Sequence, residues 1–600
     1  DKTFTDIYTL SLQDALPIIN QSGEMSSLSR YSNLSGIRQN GGTAANNSQT
    51  FGDSTQIILT DRSGDASGVA SSSSHSNYTG IGQDSNVLIS SSFGYTSDSS
   101  NLQKFGDDTQ VNLSITRGNQ IQTREGSSSS SASLGTGISQ TSQYSWYYTS
   151  GASGTNQLIT NQAFGDRTQI ILKETTKNKT LGMSSSVMEN TIFTGVAQEN
   201  NLRLRGDNTG TIDRNNSSSQ SFGDDTQIIL SSDHKDVVMV GEGSVSPYLM
   251  LTGISQNSYE GAGTYGDGSQ RSKSSTNQLF GENTQIVLSN TNGDFVLGAG
   301  SYPSIHSFLL GVNQYVDLGS EYSGSVNHLD RSNSQIFGDN TEIRLNNNLG
   351  SMLFGGEGYG SLNLEFKGIA QTNILNNAFI GGTNELSINN SQIFGDKTRI
   401  IMDNHIGTQT GTEAVNFSSS LNFMGISQHS ILKSASYGGS NDITIKNSQI
   451  FGNDTQVSMT NTKEGMVVGS DGSQNQDLDM TGIEQHSTSE VVGDPINYTV
   501  SQTFGDNTRV ALKSTTADQS GEGGELQSTS RFMGIRQENS DLNQTFGANT
   551  QVLLSNTAGT ITMDGEDTRV VTGSSLIGIA QINSKNSTQT FGDNTKVQVK

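Results

Sequence analysis

One pattern recurs eleven times along the chain: Gln, any residue, Phe-Gly, two residues, Thr, one residue, then Ile or Val. The copies hold Gln49, Phe51 and Thr55; Gln103, Phe105 and Thr109; Gln162, Phe164 and Thr168; Gln220, Phe222 and Thr226; Gln278, Phe280 and Thr284; Gln335, Phe337 and Thr341; Gln392, Phe394 and Thr398; Gln449, Phe451 and Thr455; Gln502, Phe504 and Thr508; Gln544, Phe546 and Thr550; and Gln589, Phe591 and Thr595. A unit of this kind cannot bury its own apolar face and must stack on its neighbours. The chain therefore builds a quasi-one-dimensional object whose size is not capped by a single core.

Counting from Phe as zero, +6 is always Ile or Val and +8 is Leu, Met or Val, while +5 and +7 vary. Recurrence on even positions predicts a strand with one buried face. Gly at +1 and a mostly acidic +2 predict a turn before it. A second motif, Gly, Ile or Val, any residue, Gln, alternates with the first and predicts a second strand. Its Gln residues are Gln39, Gln83, Gln140, Gln198, Gln256, Gln314, Gln371, Gln428, Gln485, Gln537 and Gln581.

From Phe to the next Gly motif is 29–32 residues. From the Gly motif to the next Phe is 22–27 residues in eight copies but 15, 12 and 13 in the first and last two. The difference marks an insertable arm. Ile431–Lys433, Gly438-Gly439 and Ile443–Ile445 predict that arm to be a β-hairpin. Without it a copy is about 42–45 residues, which reads as two turns of about 21–22. The expected fold is all-β: a β-solenoid or stacked β-arch of eleven repeats of about 42–59 residues with inserted hairpin arms, forming one continuous domain over 19–600.

Stacking explains why an amide recurs among apolar positions. Rungs about 4.8 Å apart allow Gln side chains to bond up and down the stack, each bond contributing about 0.5–1.5 kcal/mol net. Thr at +4 is expected to form a parallel hydroxyl ladder. Gln, Gly and polar residues recurring through such rungs resemble the curlin repeats of bacterial functional amyloid. Those repeats place Gly two residues after Gln and continue Asn-x-Ala, whereas here Gly505 follows Gln502 by three and Thr508 stands near the Asn position. The resemblance implies a class, an extracellular self-assembling β-fibre.

Asp1–Ile18 carry no repeat, and Thr9–Ile18 (TLSLQDALPI) resemble a translated sequencing adapter. This segment reads as non-native, with the true N-terminus lost and room for a signal peptide before Ile19. The chain stops at Lys600 just after an apolar strand with no polar capping unit, which favours polymerisation because monomeric solenoids need caps.

Composition narrows the rest. Hydrophobic residues are 30%, and adding the 69 Gly gives about 41%, below the ~45–50% usual for soluble domains. A net charge of −24 disfavours nucleic acid. No apolar run approaches the ~18 residues that span a membrane. There is no Cys, hence no thiolate site. Calcium is the only cofactor the sequence suggests, through the +2 column of Asp53, Asp107, Asp166, Asp224, Glu282, Asp339, Asp396, Asp506 and Asp593. Asn453 and Ala548 fill that column in two copies, so a turn role is the simpler expectation. Tyr144, Trp146, Tyr147 and Tyr148 cluster in one arm and are expected to pack rather than to bind sugar. The sequons at Asn77, Asn112, Asn178, Asn416, Asn497 and Asn586 suit a glycosylated surface protein. Seven His show no ligand spacing, and no asymmetric catalytic constellation appears. The expectation is a non-enzymatic, extracellular filament or sheath subunit whose partner is itself. The alternative is a monomeric adhesin stalk binding glycan through its arms.

Overall fold

Strand formation follows the alternation just described, and stacking follows the repeat. The computed structural model describes residues 7–12, 19–20, 27–41, 46–67, 71–91, 95–122, 125–148, 154–207, 211–265, 268–323, 326–380, 382–437, 440–469, 472–492, 496–538, 542–564, 568–582 and 587–600. Four parallel sheets run through the molecule, one of 12 strands and three of 11. In the coil that follows Phe337, the first sheet takes Glu342–Leu349 and the second Met352–Phe354. The third takes Gly358–Ile380 and the fourth Thr383–Phe394. Each strand pairs in register with its equivalents one copy away, as Gln335 with Gln278 and Gln392. The protein is a β-solenoid of tandem repeats.

Each copy is thus one coil, not two turns. The FG-x-x-T strand and the Gly motif are two sides of the same coil, and their similar lengths suggested separate turns. The object is also broad rather than slender. A 23-residue third-sheet strand covers about 76 Å, while ten steps of about 4.8 Å raise the stack only about 48 Å.

The third-sheet strand changes which residues face inward as it passes the Gly motif. In Ser128–Tyr148, Ser131, Ser133, Gly135 and Gly137 are buried, then Ile138, Gln140, Ser142, Tyr144 and Trp146. This one-residue shift of phase turns the strand from the coil body into the arm. Two apolar cores result. One lies in the body and contains the Phe, +6 and +8 side chains. The other lies in the arm and contains Val87, Tyr144, Trp146, Leu158, Leu318 and Leu375 among others.

The arm is not a hairpin. Its two strands hydrogen-bond to the copies above and below in separate sheets and face each other through side chains. An in-register neighbour on each side already uses the backbone groups that a hairpin would need. Gly438-Gly439, read as the hairpin turn, lies outside the described residues. In copies without an arm, the third-sheet strand shortens to 14 or 15 residues. Ile7–Leu12, within the segment set aside as non-native, lies parallel to Gln56–Asp61 and supplies the twelfth strand of the first sheet.

Candidate functional site

The feature shared by all copies is a set of columns parallel to the stack axis. At −2, each Gln Nε2 donates to Oε1 of the preceding copy, from Gln103 to Gln49 at 2.9 Å through Gln335 to Gln278 at 2.8 Å to Gln589 to Gln544 at 2.7 Å. The Gln column of the Gly motif does the same, from Gln83 to Gln39 at 3.4 Å through Gln371 to Gln314 at 2.7 Å to Gln581 to Gln537 at 3.1 Å. The second N–H crosses the coil. Gln335 donates to the Ala370 carbonyl at 3.3 Å, and Gln371 to the Ser391 carbonyl at 3.2 Å. The two columns therefore form a polar wall between the cores, with their buried amides satisfied.

The Phe side chains form a third column. Successive rings from Phe51 to Phe591 lie 4.6–5.1 Å apart and within 4° of parallel. The glycine of the second motif is a fourth. A Cβ at Gly368 would lie 2.5 Å from the Gly425 carbonyl oxygen and 2.6 Å from Ile400 Cγ2. That contact repeats in every copy with the branched side chain at +6, so Gly in one motif and Ile or Val in the other are a single packing requirement.

The Thr hydroxyls do not link copies. Each donates to the +1 Gly carbonyl of its own turn, as Thr341 to Gly338 at 2.9 Å. The cause is the +3 residue, which takes positive φ in all eleven copies, as Asn340 at 59°. That left-handed residue folds the chain back on itself, and Asn or Asp tolerates the conformation best. Where Asn succeeds Asn at +3, its amide adds an exposed link, as Asn340 to Asn283 at 3.1 Å.

The acidic +2 residue acts on the backbone. Asp339 Oδ1 accepts the Asp396 N–H at 2.8 Å, and Asp396 accepts the Asn453 N–H at 2.7 Å. Asn453 serves Asp506 equally at 2.9 Å, which explains the amide in that column. With one coil per copy, neighbouring carboxylates sit about 4.8 Å apart rather than 9.6 Å. Their repulsion in water is about 0.9 kcal/mol, less than the ~1.5–3 kcal/mol of a hydrogen bond to a charged group. A second bracket of this kind, at the turn into the second sheet, was not apparent in the sequence: Asp294 accepts the Ser351 N–H at 2.7 Å. Among the described residues no group of three or more His, Asp or Glu is placed to hold a metal ion.

Two buried columns break from the repeat. Inward at +10 runs an Asn ladder, Asn290 to Asn347 at 2.7 Å, then Asn404 and Asn461 at 2.8 Å each. Nearer the N-terminus the same region is ionic. Arg117 Nε meets Glu174 Oε1 at 3.1 Å, Lys179 Nζ bonds Glu189, and His234 Nδ1 lies 3.0 Å from Glu189 Oε2. Burial alone would raise the Glu189 carboxyl, but Lys179 and His234 hold it well below the usual range. Burial likewise opposes charging His234, and Glu189 and Glu174 overcome that and raise it. Lys463 is buried, with the Met466 sulfur at 4.0 Å and the Phe417 ring at 5.9 Å, and burial lowers its ammonium to about 7.

Tyr144 and Trp146 are 1% and 2% exposed inside the arm, whereas Tyr147 faces out. His429, Glu484, Arg536, His486 and Glu538 form a half-buried chain around the buried Glu484, with contacts of 3.1 Å from His429 to Glu484, 2.7 Å from Arg536 to Glu484 and 2.9 Å from His486 to Glu538. Aligning copies on the Gly motif places these side chains in two adjacent columns, a signal that residue spacing along the chain hides. Among the sequons, Asn77 is exposed and Asn586 lies outside the described residues. No helix of the described residues is long and apolar enough to cross a membrane. The chain matches no family model, no curated protein and no solved structure.

Proposed function

We propose that the chain is a structural subunit of an extracellular filament or sheath that grows by head-to-tail stacking of coils. The carrying observation is the polarity of the amide columns. In both Gln ladders every link donates toward the lower-numbered copy. At these two columns one face of a coil therefore offers donors and the other acceptors, while the Asn290–Asn461 ladder runs the opposite way, with the ring column in matching register. Such a face is complementary to the opposite face of another molecule and not to itself, which is the condition for an open heterologous assembly. The parallel docking of Ile7–Leu12, which lacks the repeat motif, on the first coil supports an edge that accepts added strands.

Nothing in this reading calls for catalysis, since the shared side chains do the same structural task in every copy. The acidic surface disfavours nucleic acid as a partner. Binding through the arms is the weaker reading, because Tyr144 and Trp146 are spent on the arm's own core. Electron microscopy of the concentrated, purified protein tests the proposal. Unbranched fibres with a meridional reflection near 4.8 Å are expected. A monomer that persists in light scattering at high concentration would overturn it.

A further inference from the structure

The outer face of the third sheet carries an exposed, stacked aromatic pair near the start of its strands. Tyr302 and Tyr359, on adjacent coils, are 53% and 56% exposed. Their rings lie 5.6 Å apart and 4° from parallel. The equivalent residues are Ser186 and Ser244 on one side and Asn416 on the other. Where the column passes from Tyr359 to Asn416 the side chains shrink, and an open cleft of about 490 Å³ lies against the aromatic pair. Gly360 and Phe417 contribute to its lining, and a Cβ at Gly360 would fall 2.6 Å from the Phe417 ring. Asn416 Oδ1 accepts the backbone N–H of Ser473 at 3.1 Å and the Ser473 hydroxyl at 2.5 Å, which leaves its Nδ2 as a donor. No described lining residue carries a charge.

We propose that this cleft binds a neutral pyranose-based glycan. Two exposed, nearly parallel rings beside a cleft present a flat apolar platform with polar hydroxyl tips. Aromatic rings flanked by Ser hydroxyls and an Asn amide match a ligand with apolar C–H faces and neutral hydroxyl edges. A phosphate or carboxylate ligand would find no cation in the cleft and would meet a chain of net charge −24. The site lies on the coil body, apart from the stacking faces, so it stands or falls separately from filament growth.

The test is affinity electrophoresis of the full chain in native gels containing soluble mixed-linkage glucan, xyloglucan or galactomannan. The comparison is among the wild type, Tyr302→Ala/Tyr359→Ala, Asn416→Ala, and a control, Tyr31→Ala, whose ring is 70% exposed elsewhere on the same sheet. The expected result is retardation of the wild type by at least one polysaccharide. The double variant should lose it at least tenfold, Asn416→Ala severalfold, and the control not at all. Thermal melts should coincide, since both tyrosines are mostly exposed. Three results would overturn the proposal: no retardation of the wild type by any of the three, retardation unchanged in the double variant, or a double variant that keeps sugar binding but loses lateral association in sedimentation. The last would make the aromatic pair a contact between chains.

Discussion

The coil body and the arm are built from the same strands yet obey different rules. In the body, several columns repeat one residue type through all eleven copies, as Gln at −2, Phe at zero and Gly in the second motif. In the arm, one column runs Val87, Tyr144, Leu202, Glu260, Leu318, Leu375 and Leu432. The difference lies in what each contact demands. An amide ladder, a ring stack and a Gly–carbonyl approach each require the same partner one coil away. Apolar burial requires only volume. The arm can therefore vary, even taking in a buried Arg331–Glu260 pair at 3.1 Å, or be absent, while Gln544 still reaches Gln502 at 2.7 Å.

The contrast can be broken most severely at the glycine column. Gly368→Ala should cost about 3 kcal/mol, because the new methyl meets a backbone carbonyl and Ile400 together. The denaturation midpoint measures it, and a shift of the size seen for a surface Gly would show that the column is not needed. Next is Gln335→Ala, which strands the Gln392 donor and the Gln278 acceptor. The expected loss is about 2–3 kcal/mol, with a smaller loss for Leu386→Val in the arm (about 1 kcal/mol).

Replacing residues 486–501, the arm nearest the armless copies, with the short connection 538–543 should leave the far-ultraviolet circular dichroism per residue unchanged. It should also lower the midpoint less than Gly368→Ala does. Collapse of the whole fold would mean that arm and body are one cooperative unit.

A finer comparison uses pH. Lys463 sits where the neighbouring copies place Ile406 and Thr516. Its folded pKa, about 7, lies below the ordinary 10.5. The unfolded chain therefore binds more protons between these values, and stability rises with pH across that window. Lys463→Met should be more stable than the wild type at pH 7, with the gap closing toward pH 10.5. An unchanging gap would mean that the ammonium is not buried when charged. His234 has the opposite sign. Its raised folded pKa gives stability present below about 6.5 and lost as pH rises through the folded value.

Much of this was legible because repeats print their contacts repeatedly. Gln335 and Gln371 are amides at otherwise apolar spacing, and only stacking makes that tolerable. The coil count was not legible. The two motifs are separated by similar lengths, and nothing in the residues says whether Thr341 and Gly368 belong to one turn or two. The Thr hydroxyl was misjudged because its partner depends on a dihedral, the positive φ of Asn340, and not on residue type. The Asn290–Asn461 ladder escaped notice because it spans only four copies. The cleft beside Tyr359 escaped because it arises from a difference between neighbours, Tyr against Asn416, rather than from a motif.

The central claim is that each copy is a single coil, and distance measurement across many copies tests it most directly. The chain has no Cys, so Lys104→Cys and Thr545→Cys, both at exposed −1 positions, can carry two unique spin labels. Eight copies separate them. Pulsed electron resonance should find about 38 Å for one step of about 4.8 Å per copy, and a distance near 77 Å would contradict it.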